Sequence, residues 1–145
     1  MRARQEESEM TEPKPKALIY VFDDNDAIRM LLRIHLQQAG YEARAFEDAV
    51  EGGKALVESP PDLLICDYEM PYMNGLDFII AMKSDARLAR VPTIMLTGRR
   101  DSDTEMAASN AGIACFLTKP LGRDELIHAV EQVLSGKLVG RLPLK

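Results

Sequence analysis

Residues 63–80 read LLICDYEMPYMNGLDFII: four apolar residues, Asp67, a polar stretch broken by Pro71, then an apolar-rich segment entered through Asn74 and Gly75. An apolar run without polar alternation marks a strand buried on both faces, as in parallel sheets covered by helices. Asn74 is a good helix cap, so the spacing predicts a helix over 75–83. A lone carboxylate, Asp67, therefore closes a buried strand.

The same grammar repeats on either side. Strands are predicted over 17–22, 42–46, 63–66, 93–96 and 115–118, and all but the second are nearly continuous in apolar residues. Between them Ile28, Leu31, Leu32, Leu36 and Ala39 keep helical spacing, with Asn25 or Asp26 as cap and Gly40 as stop. Leu126, Ile127, Val130, Val133 and Leu134 form a second stripe ending at Gly136, and Ser102 with Glu105 has capping-box spacing. Residues 48–57 are read as helical although Gly52 and Gly53 each cost about 1 kcal/mol there relative to Ala. Strand alternating with helix generates an α/β fold, a parallel sheet with helices packed on it.

Residues 1–16 are polar, with Pro13 and Pro15, and read as a flexible leader. The folded domain is expected over 17–136. Residues 137–145, with Gly140 and Pro143, read as a tail or the start of a linker.

The 145 residues suffice for one domain and one core. A net charge of −5 repels nucleic acid, so direct nucleic-acid binding is not expected. No apolar run reaches the ~20 residues that span a bilayer, and the N-terminus lacks a signal peptide's apolar core. No membrane insertion and a cytoplasmic location are expected. Cys66 and Cys115 lie in apolar runs as buried hydrophobes, and His35 and His128 fall within helical patterns without ligand spacing, so zinc is not indicated. Met70, Met73 and Met82 read as packing around the third helix, and Tyr68 and Tyr72 flank Asp67 in sequence.

The chemistry collects where the apolar runs end. Asp23 and Asp24 follow the first, Asp67 the third, Thr97 the fourth and Lys119 the fifth. In a parallel sheet these ends share one edge, where open α/β folds bind ligands at the point of strand-order reversal. If the order is 2-1-3-4-5, the first and third strands are neighbours and three carboxylates share one crevice. At ~4 Å and an effective dielectric near 20, each ionised pair costs roughly 4 kcal/mol, so a cation or proton must relieve the site. Lys119 supplies one charge, and an all-oxygen acidic pocket suits Mg²⁺. A lone strand-end aspartate is commonly a solvated cap; complementary groups at four strand ends oppose that reading. Asp67, alone at a central strand end, is placed to attack phosphorus, with Thr97 and Lys119 holding the phosphoryl oxygens.

YVFDDNDAIRMLL, LLICDYEMPYMNGLDFI, PTIMLTG and CFLTKP resemble the motifs of response-regulator receiver domains, over residues 17–135. The resemblance implies a doubly wound, flavodoxin-like sheet of five parallel strands, order 2-1-3-4-5, with helices on both faces. It implies phosphotransfer to Asp67 from a phosphohistidine on a histidine kinase or histidine phosphotransfer protein. Asp24 matches the direct Mg²⁺ ligand, Asp23 the second acid and the Glu69 backbone carbonyl the third protein contact. Thr97 matches the switch hydroxyl, Lys119 the phosphoryl-binding lysine, Phe116 the rotating aromatic and Pro120 a proline expected to follow a cis peptide. The implied output is a protein target on the surface of the fourth helix, fifth strand and fifth helix.

Glu69 and Arg99 lie two residues after Asp67 and Thr97, and a pair between them is expected to hinder the hydrolytic water and lengthen the phosphorylated lifetime. SNAGIACFLTKP lacks the acidic pair of the winged-helix regulators, so a monomer or weak dimer is expected. Two other families share part of this pattern. Asp24 and Asp26 form the D-x-D of haloacid-dehalogenase-like phosphohydrolases, but no late acidic pair to bind metal follows the lysine, no cap domain is present and Asp67 would have no role. A flavin module would need a hydroxyl-rich loop where this chain has Asp23 to Asp26. A binding-only receiver that is never phosphorylated is disfavoured by the complete set of site residues.

Overall fold

The structure, a computed structural model, describes residues 14–98 and 101–136, and the backbone of 140–141. Residues 1–13 of the leader expected over 1–16, and most of the tail expected from 137, lie outside the described residues. At the leader's end, Lys16 already belongs to the fold: its N–H donates to the Gly40 carbonyl at 2.9 Å and its ammonium lies 5.3 Å from the Tyr41 ring centre.

The elements alternate along the chain: β1 (Leu18–Phe22), α1 (Asp26–Gln38), β2 (Glu42–Phe46), α2 (Ala49–Glu58), β3 (Leu63–Asp67), α3 (Gly75–Lys83), β4 (Thr93–Thr97), α4 (Ser102–Asn110), β5 (Cys115–Thr118), α5 (Arg123–Leu134) and the two-residue β6 (Gly140–Arg141). The sheet order is β2-β1-β3-β4-β5-β6, every pairing parallel. The five-stranded, doubly wound order 2-1-3-4-5 is thus realised, and β6, at residues expected to be tail, extends the β5 edge.

Side chains alternate across the central strands, producing two cores. On one face Ile19, Val21, Ile65 and Leu96 meet Leu32 and Leu36 of α1 and Leu126, Val130 and Val133 of α5. On the other, Phe22, Cys66, Met95 and Phe116 meet Leu56 of α2, Phe78 and Met82 of α3 and Ala108 of α4. Strands buried on both faces have no room for a polar phase, which is why their sequences do not alternate.

Helix starts are fixed locally. Asn25, Asp48 and Asn74 each accept from the backbone N–H three residues on, at 2.8 to 2.9 Å. Glu51 Oε1 also accepts from the Glu47 N–H at 2.7 Å, which anchors α2 despite its two glycines. At α4 the cap is Asp101, not Ser102: the Asp101 carboxylate accepts from the Asp103 N–H at 3.1 Å and the Thr104 hydroxyl at 3.0 Å. Gly52 and Gly53 are not equivalent. A Cβ on Gly52 would lie 2.2 Å from the Phe22 ring, whereas one on Gly53 would meet nothing within 4 Å. Gly52 lets α2 settle on the Phe22 and Phe46 rings, which are 5.2 Å apart.

Candidate functional site

Because β1 and β3 are adjacent, the residues that end them meet. Carboxylate oxygens of Asp23, Asp24 and Asp67 lie within 4.8 Å of one another; Asp23 and Asp67 are buried and Asp24 is exposed. Asp23 is oriented by its own loop: the Asn25 N–H donates to its Oδ1 at 2.9 Å, and Arg29 Nη1 donates to its carbonyl at 2.7 Å. Arg29 also pairs with Asp26, so the helix that follows the acids is tied back to them.

Lys119 bridges the pocket. Its Nζ lies 3.0 Å from Asp23 Oδ2 and 3.2 Å from Asp67 Oδ1. The Lys119 N–H donates to the Thr97 carbonyl at 2.7 Å, and the Lys119–Pro120 peptide is cis. Lys119, directly after β5, thus carries its ammonium across β4 to the carboxylate on β3.

The Thr97 hydroxyl donates to Glu69 Oε2 at 3.5 Å, the long limit of a hydrogen bond. Glu69 thereby brings its side chain to the threonine, while the resemblance had assigned a role to its carbonyl. Arg99 lies outside the described residues. Phe116 is buried on the α4 side, where it lines a cavity of about 410 Å³ with Met106 and Ile113. Tyr72, in the loop between Asp67 and α3, is 83% exposed and adopts φ 73°, a left-handed conformation rare for a side chain of its size.

Burial, reinforced by the Asp23 carboxylate and offset by Lys119, pushes the Asp67 carboxyl up to about 6. For Lys119, burial opposes the charged form, but Asp23 and Asp67 outweigh it and hold the ammonium above its usual range. Burial, with Asp67 and Asp23 nearby, pushes the Cys66 thiol well up, so it is no thiolate nucleophile.

The donor set fits a hard divalent cation. Asp23 Oδ2 and Asp67 Oδ1 are buried and, among the described residues, accept no directed hydrogen bond; they meet Lys119 only as ion pairs. Three carboxylates face one ammonium, all the acidic donors are oxygens, and the exposed Asp24 leaves the cluster open on one side, as Mg²⁺ with its retained waters requires. Asp26 is not part of this cluster.

Two contributions were not singled out from sequence: Asn25 and Arg29 as the clamps on Asp23, and Gly75 as the point where α3 touches β3. The first had a readable signal, since an aspartate two residues before an asparagine commonly accepts its N–H. The second had none, because a glycine after a cap looks the same whether or not a strand end lies against it.

Residues 19–131 match the family described as response regulator receiver domain. The chain is 29% identical over 116 residues to the phosphate regulon transcriptional regulatory protein PhoB of Pseudomonas aeruginosa, covering 80% of this chain and 51% of that protein. It is 33% identical over 120 residues to the DNA-binding transcriptional regulator NtrC of Escherichia coli K12, covering 83% of this chain and 25% of NtrC. The chain therefore spans about half or less of the length of these curated relatives. Among solved structures, chemotaxis response regulator CheY4 of Vibrio cholerae is similar with a TM-score of 0.77 at 27% identity, covering 81% of this chain and 98% of that one. A response regulator receiver domain protein from Clostridium thermocellum is similar with a TM-score of 0.76 at 27% identity, covering 83% of this chain and 95% of that one.

Proposed function

Because the chain belongs to the response regulator receiver domain family of two-component signalling, we propose that it is a switch in which Asp67 takes a phosphoryl group from a phosphohistidine. The donor would be a histidine kinase or a histidine phosphotransfer protein. The observation that carries this reading is the Lys119 ammonium, 3.2 Å from Asp67 and 3.0 Å from Asp23, inside a cluster of three carboxylates.

In the proposed transfer an Asp67 oxygen attacks phosphorus, the P–N bond breaks, and its electron pair returns to the imidazole nitrogen. The product is an acyl phosphate. With a carboxyl held near 6, Asp67 is mostly ionised at neutral pH and competent to attack. Lys119 pairs with one phosphoryl oxygen, and the Thr97 hydroxyl exchanges its long bond to Glu69 for another. Asp23, Asp24 and Asp67, with the Glu69 carbonyl, would hold Mg²⁺, which when bound neutralises the phosphoryl oxygens.

The output follows from what Thr97 leaves behind. As its hydroxyl moves toward the phosphoryl group, Phe116 turns into the vacated space and reshapes the surface of α4, β5 and α5 for a downstream protein. α4 can yield, because Ala108 is its only buried residue and Met106 is 63% exposed.

The test is intact mass after incubation with acetyl phosphate and Mg²⁺, for the parent and Asp67→Ala. A Mg²⁺-dependent gain of ~80 Da in the parent alone supports the acceptor role and the metal's part in it. A gain that survives in Asp67→Ala, or none in the parent, overturns it; the second outcome fits a receiver that acts by binding alone.

A further inference from the structure

An open edge of a parallel sheet carries unpaired N–H and C=O groups and invites another strand. At the β2 end no strand among the described residues covers that edge. At the β5 end Gly140 pairs with Cys115 and Arg141 with Phe116, in parallel. Only five residues, 135–139, separate the last residue of α5 from this pairing. Gly136, at φ 88°, turns the chain out of α5 by a conformation that favours glycine. The return is a fifth repeat of the strand-helix-strand unit that built the rest of the sheet.

The position is what matters. β5 lies between α4 and α5, and Phe116, the residue opposite Arg141, also lines the 410 Å³ cavity beside α4. We infer that Gly140–Arg141 is an intramolecular plug on the β5 edge, so that any partner seeking the backbone of β5 must first displace this chain's own strand. Such a plug is cheap to remove, since two paired residues give few hydrogen bonds, each contributing little net stability. Yet the tether of five residues keeps its local concentration high, so a weak contact excludes weak competitors. The inference rests on backbone pairing and does not depend on phosphotransfer.

Hydrogen exchange on the full chain, without phosphodonor, tests it. In the parent, the amides of Cys115–Thr118 directed at β4, and the outward β5 amide that Gly140–Arg141 covers, are expected to exchange slowly. In Gly140→Pro/Arg141→Pro, which removes the N–H groups of both β6 residues, including the one directed at β5, the outward amide that β6 covers is expected to exchange at least tenfold faster, while Ile94–Leu96 stay slow. Arg141→Ala, which keeps its N–H, is expected to match the parent. Equal exchange of the covered amide in the parent and the double variant, or its exchange at unstructured rates in the parent, would overturn the plug.

Discussion

A Cβ placed on Gly75 would lie 2.2 Å from the carbonyl oxygen of Asp67. The Gly75 N–H donates to the Tyr68 carbonyl at 2.7 Å, so the start of α3 is drawn onto the end of β3 at the residue whose carboxylate faces Lys119. The Asp67 backbone is thus held by a helix that can approach only because its first residue has no side chain. Gly75→Ala is expected to destabilise the fold by about 1–3 kcal/mol, the usual cost of overpacking, and to slow phosphorylation of whatever folded protein remains. Urea unfolding and the rate of mass gain measure the two effects; a variant as stable and as fast as the parent would show that the contact is readily relaxed.

The two adjacent glycines of α2 should respond in opposite directions. Gly52→Ala drives a methyl into the Phe22 ring and is expected to lose about 1–3 kcal/mol. Gly53→Ala, with open space around it, is expected to gain up to about 1 kcal/mol from helix propensity. Thermal or urea unfolding of the two variants side by side is sufficient.

Asp67 sets a pH dependence with a defined sign. Its carboxyl is raised from 3.8 to about 6 in the folded protein, chiefly by burial. Its protonation therefore favours the fold fully below about 3.8, and that contribution is lost as pH rises through about 6. Asp67→Asn escapes the loss. Without divalent cations it is expected to be the more stable protein at pH 8, by up to about 3 kcal/mol, with the difference gone near pH 4. An advantage that does not change with pH would sink this account.

Lys119 is the described cation nearest the two buried carboxylates. Lys119→Met leaves them facing each other and is expected to cost about 2–4 kcal/mol at pH 8 in chelator. Mg²⁺ should return more stability to this variant than to the parent, because it binds the folded state where the uncompensated charge is larger. Unfolding curves at several Mg²⁺ concentrations decide it, and equal Mg²⁺ increments in both proteins would remove Lys119 from the charge balance of the site.

The lifetime of the phosphorylated state tests the mouth of the pocket. Glu69 reaches Thr97 at 3.5 Å, and in the proposed switch it would stand beside the path of a hydrolytic water. Glu69→Asn combined with Arg99→Ala is expected to shorten the half-life of the acyl phosphate several-fold. Equal half-lives, followed by loss of the phosphoryl mass, would leave the two charged residues without a role in hydrolysis.

The strand ends explain why so much of this site could be read early. Each apolar run stops where its strand leaves the core, so a polar residue just beyond it lies at the carboxyl edge. β2 and β5 occupy the residues expected of them, while β3 and β4 each extend one residue further, to Asp67 and Thr97. Those two polar residues are buried in the sheet, at 2% and 3% exposure, because their partners are there to receive them. The misplacement of the α4 cap has a local cause: Asp101 and Ser102 are both good caps, and the Ser102–Glu105 spacing is matched by an aspartate one residue earlier that reaches two donors.

The sequence by itself determined the alternation of buried strand and amphipathic helix, the helix stops at Gly40 and Gly136, and the family to which the acids, threonine and lysine belong. These are properties of a residue and its near neighbours, carried by hydrophobic period and backbone preference. Tertiary structure alone decided that Gly52 is needed where Gly53 is not, that Gly75 must be bare against Asp67, and that Gly140–Arg141 joins the sheet. Each of these depends on a surface contributed by a distant segment: a Phe22 ring, a β3 carbonyl, the open edge of β5. No local pattern encodes such a surface, because it exists only once the chain has brought the two segments together.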